Sequence, residues 1–182
     1  MIFALTDERQ VWIASEKKIR LNGKKGVSTA PEEKCYMDPL DLRLEPPRSC
    51  YVELDGLMLM PRTIDKLRAQ LPGGHPGPYF INGRIKGISG YLLDRLGIGE
   101  ADLLDAVAQA ASEDEVAAWL RERTDPSQYP ALNSTLKRIK PKHAEDEVYF
   151  RTEYEATLRQ HPDLEFIVDI VDADDRRLFA AR

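Results

Sequence analysis

The sequence contains little cysteine and little histidine, and this scarcity limits the chemistry open to it. Its 182 residues include two cysteines, Cys35 and Cys50, and three histidines. Both cysteines lie in irregular, proline-rich sequence with no histidine cluster around them, so neither a disulfide framework nor a zinc site is indicated. A Gly-x-Ser-x-Gly elbow is also missing, and nucleophilic catalysis is therefore unsupported. We predict a protein with no bound metal and no cofactor.

An excess of basic charge and a long apolar run are missing as well. The formal net charge is -5 and the pI is about 5.3, whereas proteins that bind nucleic acid or anionic membranes carry basic stripes. No apolar run approaches the roughly 20 residues that cross a bilayer, and charges interrupt the N-terminal stretch where a signal peptide is apolar. We therefore predict a soluble cytoplasmic protein that binds neither nucleic acid nor membrane.

The first 36 residues differ in composition from the rest of the chain. They hold seven Lys or Arg against five Asp or Glu, a net charge of +2, which leaves -7 for the remainder. Three interpretations of this N-terminal extension remain open. It forms a β-hairpin around Asn22-Gly23, or it is a disordered basic tail, or translation begins at Met37 and the extension is an upstream-start artefact. We favour the start at Met37.

Helical periodicity dominates the sequence after residue 56. Before it, Pro39, Pro46 and Pro47 disfavour helix at the residues that precede them, so that 38–56 is predicted to be extended. The predicted helices of the first half are one from Pro61 to a stop at Pro72-Gly73-Gly74, one capped by Ser89 and closed by Gly97, one over 100–111, and one over 116–123 behind a capping box of Ser112 and Glu115.

The second half continues this pattern. Further helices are marked at Asp125-Pro126, at Asn133 and over 144–160, the last of which is predicted to be the longest. Residues 164–172 fit either a strand, because of their β-branched run, or a final helix, which the following mixed-charge stretch favours. Since no strand partner is evident in this half, we predict an all-α fold with one compact helical domain over 37–182.

A dense polar run lies on the helix that begins at Pro61. It consists of Arg62, Asp65, Lys66 and Arg68, and spacings of three and four place the first three on one face. Two guanidinium groups and an amine could clamp a carboxylate or phosphate, with Asp65 orienting one guanidinium. The simpler interpretation is that Asp65 pairs with Arg62 or Arg68 and that Lys66 is solvated.

The loop after this helix offers two further candidates. Its sequence, GGHPGPY over 73–79, resembles a phosphate-binding loop, but two prolines remove backbone donors, and a tight connection is the simpler interpretation. His75 could act as an acid or base, and Tyr79 completes the candidate ligand-binding set. His143 and Glu147 have the spacing of metal ligands on a helix, but no second ligand pair accompanies them. Trp119 and the aromatics of 149–154 are interpreted as core.

One known family shares these motifs. The stretch "PPRSCYVELDGLMLMPRTIDKLRAQLPG", then "GPYF", "LLDRLGI" and "DEVAAWLRERTD", resembles a bacterial family catalogued as domain of unknown function 5069, over residues 38–182. The most specific element is the run from Pro61 to Ala69. The family begins near "DPLDL", which supports Met37 as the start. The resemblance implies a small helical protein and supplies no activity.

Two functions therefore stand as hypotheses. The first is a non-catalytic binding or adaptor module that contacts a small anionic ligand or a protein partner through the 62–68 face and the following loop. The alternative is a small enzyme that acts on an anionic metabolite, in which Arg62 and Arg68 hold the anion while Asp65 or His75 handles protons. An enzyme requires a concave pocket where these groups converge, whereas an adaptor requires an exposed apolar surface.

Overall fold

The computed structural model describes residues 36–83 and 85–180. The predicted N-terminal extension lies outside these residues except for Tyr36, and so does Cys35. The described elements are β1 (Glu53–Leu54), β2 (Leu57–Met58), α1 (Met60–Arg68), α2 (Ile88–Leu96), α3 (Glu100–Gln109), α4 (Glu113–Arg121), α5 (Tyr129–Leu136), α6 (Glu147–Glu153), α7 (Glu155–Gln160) and α8 (Ile167–Phe179), with 3-10 helices at Pro126–Gln128 and Pro141–His143. The mainly helical architecture confirms the predicted all-α class.

A short antiparallel hairpin leads into the helices. Strands β1 and β2 pair with Glu53 opposite Met58, and the turn residues Asp55 and Gly56 have φ values of 52° and 79°. Two consecutive positive φ angles define the type I′ turn, for which Asp-Gly is a preferred sequence. The prediction of an extended segment over 38–56 missed this hairpin, because strands of two residues are too short to show alternation.

Helix α1 lies at the centre of the fold. It packs against β1, α2 and α3, and every residue from Met60 to Leu67 is buried. Pro61 occupies the first turn, where its missing N–H is not needed, as the sequence indicated. Because polar residues are buried along with the apolar ones, each polar side chain of α1 needs a partner within the fold. The helix therefore cannot present the exposed contact surface suggested from the sequence.

Several helix ends differ from their predicted form. Helix α2 begins after Gly87, and Ser89 lies inside it, buried, with a hydroxyl that has no hydrogen-bond partner among the described residues. Gly97 ends this helix with φ 68°, as predicted. Ser112 precedes α4 without a side-chain capping bond, while the Glu115 carboxylate accepts the N–H of Ala111 at 2.9 Å. The capping box predicted there is therefore wrong.

The predicted long helix over 144–160 is wrong, whereas the predicted final helix is confirmed. Helices α6 and α7 are separated at Tyr154, whose φ and ψ are -100° and 16°. One non-helical residue interrupts the ladder without altering the apolar periodicity, so the sequence pattern does not reveal it. Residues 167–179 form α8, which at 13 residues is longer than either α6 or α7.

Asn133 lies within α5 and does not begin a helix. Its side chain forms hydrogen bonds to the backbone of the hairpin instead of capping a helix. Its Oδ1 accepts the Met58 N–H at 3.1 Å and its Nδ2 donates to the Gly56 carbonyl at 2.8 Å. Both bonds span from α5 to the turn region, so the amide ties the hairpin to the helical core.

Replacing Asn133 by alanine is therefore expected to lower the free energy of unfolding by about 1–3 kcal/mol, because buried backbone groups of the hairpin lose their partners. Urea unfolding measures the change, and Ser134→Ala is the matched control. Ser134 is exposed, and we expect its removal to change stability by at most about 0.5 kcal/mol. Equal effects of the two substitutions would contradict this role of Asn133.

Within the described ranges, no helix combines the length and the apolar character that crossing a membrane requires.

Candidate functional site

Arg62 is the most deeply buried charged residue of α1. Its Nη1 donates to Asp175 Oδ2 of α8 at 2.6 Å and to the backbone carbonyl of Arg48 at 3.0 Å, while only 1% of the residue is exposed. Its Nε has no hydrogen-bond partner among the described residues. A buried guanidinium needs a counterion to offset the loss of hydration, and Asp175 supplies it. The pair therefore joins the first helix of the described chain to the last.

Lys66 lies one turn further along α1 and has no such counterion. Its Nζ donates to the backbone carbonyl of Phe80 at 3.0 Å, and only 6% of the residue is exposed. Among residues 36–83 and 85–180, no carboxylate forms a salt bridge with this amine. Burial lowers the pKa of Lys66 to about 7, and the positive charge of Arg62 lowers it further in the same direction. At neutral pH the amine is therefore present in both its neutral and its charged form.

Tyr79 completes the polar group around Arg62. Its hydroxyl donates to Asp175 Oδ1 at 2.8 Å, and the guanidinium carbon of Arg62 lies 5.6 Å from the centre of its ring. Burial and the neighbouring Asp175 raise the pKa of the Tyr79 hydroxyl above its ordinary value. Tyr79 therefore keeps its proton and remains a hydrogen-bond donor at physiological pH.

These polar groups line a cavity of about 380 Å³. We call it the Lys66 cavity; Arg62 and Lys66 of α1 line one part of it, and residues along α8 from Ile167 to Leu178 line another. Six aromatic rings contribute to its surface, from Tyr79, Phe80, Tyr91, Tyr149, Phe150 and Tyr154. Phe80 is 41% exposed and Leu178 is 36% exposed, so apolar side chains reach solvent where they border the cavity. Polar groups in an otherwise apolar concavity are typical of small-molecule sites.

Asp65 lies outside this cavity and has a different partner from those predicted. Its two carboxylate oxygens accept Arg48 Nη2 at 2.7 Å and Arg48 Nε at 2.9 Å, and Oδ2 also accepts the Arg48 backbone N–H. The expected pairing of Asp65 with Arg62 or Arg68 is wrong. Its partner precedes it by 17 residues in the proline-rich segment, which only the tertiary fold brings against α1. This bidentate salt bridge holds the proline-rich segment against α1, and both carboxylate oxygens of Asp65 are engaged in it.

Arg68 and His75 also lie apart from the cavity. The Nε of Arg68 donates to the Asp38 carbonyl at 2.8 Å, and His75 Nδ1 accepts the Gly77 N–H at 3.0 Å. Of the six candidate residues, the structure brings Arg62, Lys66 and Tyr79 together and places Asp65, Arg68 and His75 elsewhere. The alternative in which Lys66 is solvated is wrong, because the amine is buried.

His143 and Glu147 do not share one helix, as a metal site of that spacing requires. His143 ends a 3-10 helix, where its Nδ1 accepts the Lys140 N–H at 3.2 Å, while Glu147 begins α6 and pairs with Arg151 at 2.7 Å. The described residues contain no group of three or more His, Cys, Asp or Glu side chains that could hold a metal ion.

Sequence reasoning missed the contribution of α8 and of the aromatic residues after 148. Asp175 is 113 positions from Arg62, so no local spacing relates the two. The only available signal was an acidic pair, Asp174 and Asp175, on a helix whose neighbouring turns are apolar. Phe150 and Tyr154 pack with ring centres 4.5 Å apart, as expected of core residues, but they also line the cavity.

A model of a known protein family matches most of the chain. The family described as "Domain of unknown function (DUF5069)" matches residues 44–177, which is most of the chain and includes all the described secondary structure up to α8. This confirms the resemblance seen in the Pro61 to Ala69 run. No curated protein matches the chain.

Proposed function

The chain belongs to the DUF5069 family, and we propose that it binds, in the Lys66 cavity, a small molecule with an apolar body and an anionic head group. The observation that carries this proposal is the Lys66 amine, which is buried in an aromatic cavity without a carboxylate partner in the described chain. A buried amine without a counterion is unfavourable, and a carboxylate or phosphate on a ligand would supply one.

Four acidic residues line the cavity, Glu145, Glu153, Asp174 and Asp175, and within the described residues none of them forms a salt bridge with this amine. The two on α8 already have partners. Asp175 accepts hydrogen bonds from Arg62 and Tyr79, and Asp174 accepts from Arg177 at 2.8 Å and from the Thr157 hydroxyl. The positive charge of Arg62 is therefore balanced within the protein. Lys66 is left as the group whose protonation a ligand would stabilise.

The shape and lining of the cavity favour an apolar ligand body. A volume of about 380 Å³ lies within the range of roughly 300–1,000 Å³ typical of ligand sites. Aromatic rings pack well against a flat or extended hydrocarbon, and burial of that hydrocarbon contributes about 25 cal/mol per Å². Binding would therefore combine apolar burial with one charge-assisted hydrogen bond at Lys66.

The placement of the predicted acid and base groups supports binding over the Asp/His enzyme suggested from the sequence. Asp65 is held by Arg48, and His75 accepts a hydrogen bond within its own loop. Neither residue lines the Lys66 cavity. An enzyme that relied on them to move protons would need them beside the ligand.

Isothermal titration calorimetry at pH 7 tests the proposal with benzoate, octanoate and 2-naphthoate. We expect at least one carboxylate to bind, with 2-naphthamide binding at least about tenfold more weakly because it carries no charge. Proton uptake should accompany carboxylate binding, since the anion raises the pKa of Lys66 from about 7. Uptake is measured by repeating the titration in two buffers of different ionisation enthalpy.

Lys66→Met is expected to reduce the carboxylate affinity at least about tenfold and to abolish proton uptake, whereas Lys137→Met is the matched control. Lys137 is exposed at the C-terminal end of α5 and does not line the cavity. Failure of every carboxylate to bind, or equal affinity in the Lys66→Met variant, would refute the proposed function.

A further inference from the structure

We propose that Lys66 is a nucleophile that forms an imine with a 2-oxo acid bearing an apolar side chain. This inference rests on the proposed function and names the ligand class of the same cavity. The keto carbon would join Lys66 Nζ, the neighbouring carboxylate would be the anionic head, and the apolar side chain would lie among the aromatic rings.

The environment of Nζ suits attack on a carbonyl carbon. Lys66 Nζ donates an N–H to the Phe80 carbonyl oxygen. Because this bond uses a hydrogen of the amine, the lone pair of the neutral amine stays available. No donor from the described residues is bonded to this nitrogen. Lysine amines that are desolvated or lie beside another cation are the ones that act as nucleophiles. Lys66 meets the first condition because it is buried, and the second because Arg62 lies one turn away on α1.

The reaction balances without any additional reactant. The amine lone pair attacks the keto carbon to form a carbinolamine, and one amine proton moves to the former carbonyl oxygen. The C–O bond then breaks as the second amine proton and the hydroxyl leave together as water, and a C=N bond forms. Protonation of the imine gives an iminium cation, for which the adjacent carboxylate of the same ligand is the counterion.

Charged and titratable groups from several elements influence this nitrogen. Arg62 on α1 disfavours its protonation, whereas Asp175 on α8 and Glu100 on α3 favour it. Cys50 lies in the segment before the hairpin, and burial raises the pKa of its thiol to about 12, so it is uncharged at neutral pH. Further titratable residues line the same cavity: Tyr79, Lys86, His143, Glu145, Glu153, Tyr154 and Asp174. The guanidinium of Arg62 is already paired with Asp175.

The test uses phenylpyruvate with sodium cyanoborohydride, which reduces an iminium to a stable secondary amine. We expect the intact protein to gain the mass of phenylpyruvate less one oxygen atom, in a single addition at low reagent concentration. Peptide mapping should place this addition on Lys66 and should find the other lysines and the N-terminal amine at least tenfold less labelled. Phenyllactate, which has the same carboxylate but no keto carbon, should compete with labelling and should not be trapped.

Separate results distinguish this inference from the proposed function. Carboxylate binding that depends on Lys66, with phenylpyruvate left untrapped or trapped evenly over many lysines, would overturn the imine and leave the proposed function standing. If no carboxylate binds and phenylpyruvate is not trapped on Lys66, both proposals are overturned, because the imine rests on binding in the same cavity. Because the map is made on the unsubstituted protein, the test does not depend on whether a Lys66 variant folds.

Discussion

Replacing Asp175 by alanine is expected to lower the free energy of unfolding by about 3–5 kcal/mol. The substitution leaves the guanidinium of Arg62 buried without its counterion, and an uncompensated buried charge is among the most destabilising changes known. Tyr79 loses its acceptor at the same time. Since domains of this size are stable by about 5–15 kcal/mol, the variant should unfold at a markedly lower urea concentration.

Two controls separate the buried charge from a general effect of losing an ion pair. Arg159→Ala breaks a surface pair with Glu155, in which both side chains are mostly exposed, and should change stability by at most about 1 kcal/mol. The double variant Arg62→Met with Asp175→Leu removes both charges and should recover much of the lost stability. An Asp175→Ala variant as stable as Arg159→Ala would show that Arg62 is not buried as described.

Raising the pH from 7 to 9 is expected to stabilise the protein by about 2 kcal/mol through Lys66 alone. The pKa of Lys66 is about 7 in the folded state and 10.5 in the unfolded chain, so in this window the unfolded state binds more protons. Stability then rises with pH, with a limiting slope of about 1.4 kcal/mol per pH unit for one proton. Below about pH 6 both states hold the proton and the contribution is constant.

The free energy of unfolding of Lys66→Met should not rise between pH 7 and pH 9. Methionine fills the space without a charge, so this variant should also be more stable than the wild type at pH 7, where the wild type still carries part of the unfavourable buried charge. Lys137→Met should retain the wild-type rise.

The pH range of this comparison ends near pH 9. Burial raises the pKa of the Cys50 thiol from 9.0 to about 12, so that above pH 9 the ionising thiol of the unfolded chain lowers the stability of the folded state. Parallel pH profiles for wild type and Lys66→Met would contradict the buried amine.

The sequence predicted those secondary-structure elements that are determined by residues close together in the chain. Apolar spacing located α1 and α3, and Gly97 ended α2 where a left-handed residue was expected. The Asp55-Gly56 turn also had a local signal, but it was missed because its strands are only two residues long. The break at Tyr154 had no such signal, since one residue leaving helical geometry does not disturb the apolar pattern.

The site depends on contacts that no local spacing encodes. The sequence drew attention to Arg62, Lys66 and Tyr79, but the default expectation for an isolated lysine is exposure to solvent. Lys66 is buried because the whole of α1 is enclosed by the hairpin, by α2 and by α3, and this enclosure is a property of the tertiary fold. Asp65 was an equally strong candidate in the sequence. In the fold it forms a salt bridge with Arg48, because the proline-rich segment packs against α1.

The most direct test of the Lys66 cavity as a ligand site is an NMR pH titration of the lysine side chains, labelled with carbon-13 at the ε position, without and with 2-naphthoate. Our account predicts one lysine signal that titrates near pH 7, that is missing from Lys66→Met, and whose pKa rises when the carboxylate binds. The account is contradicted if every lysine titrates near 10.4, the ordinary value, or if 2-naphthoate leaves the Lys66 signal unchanged.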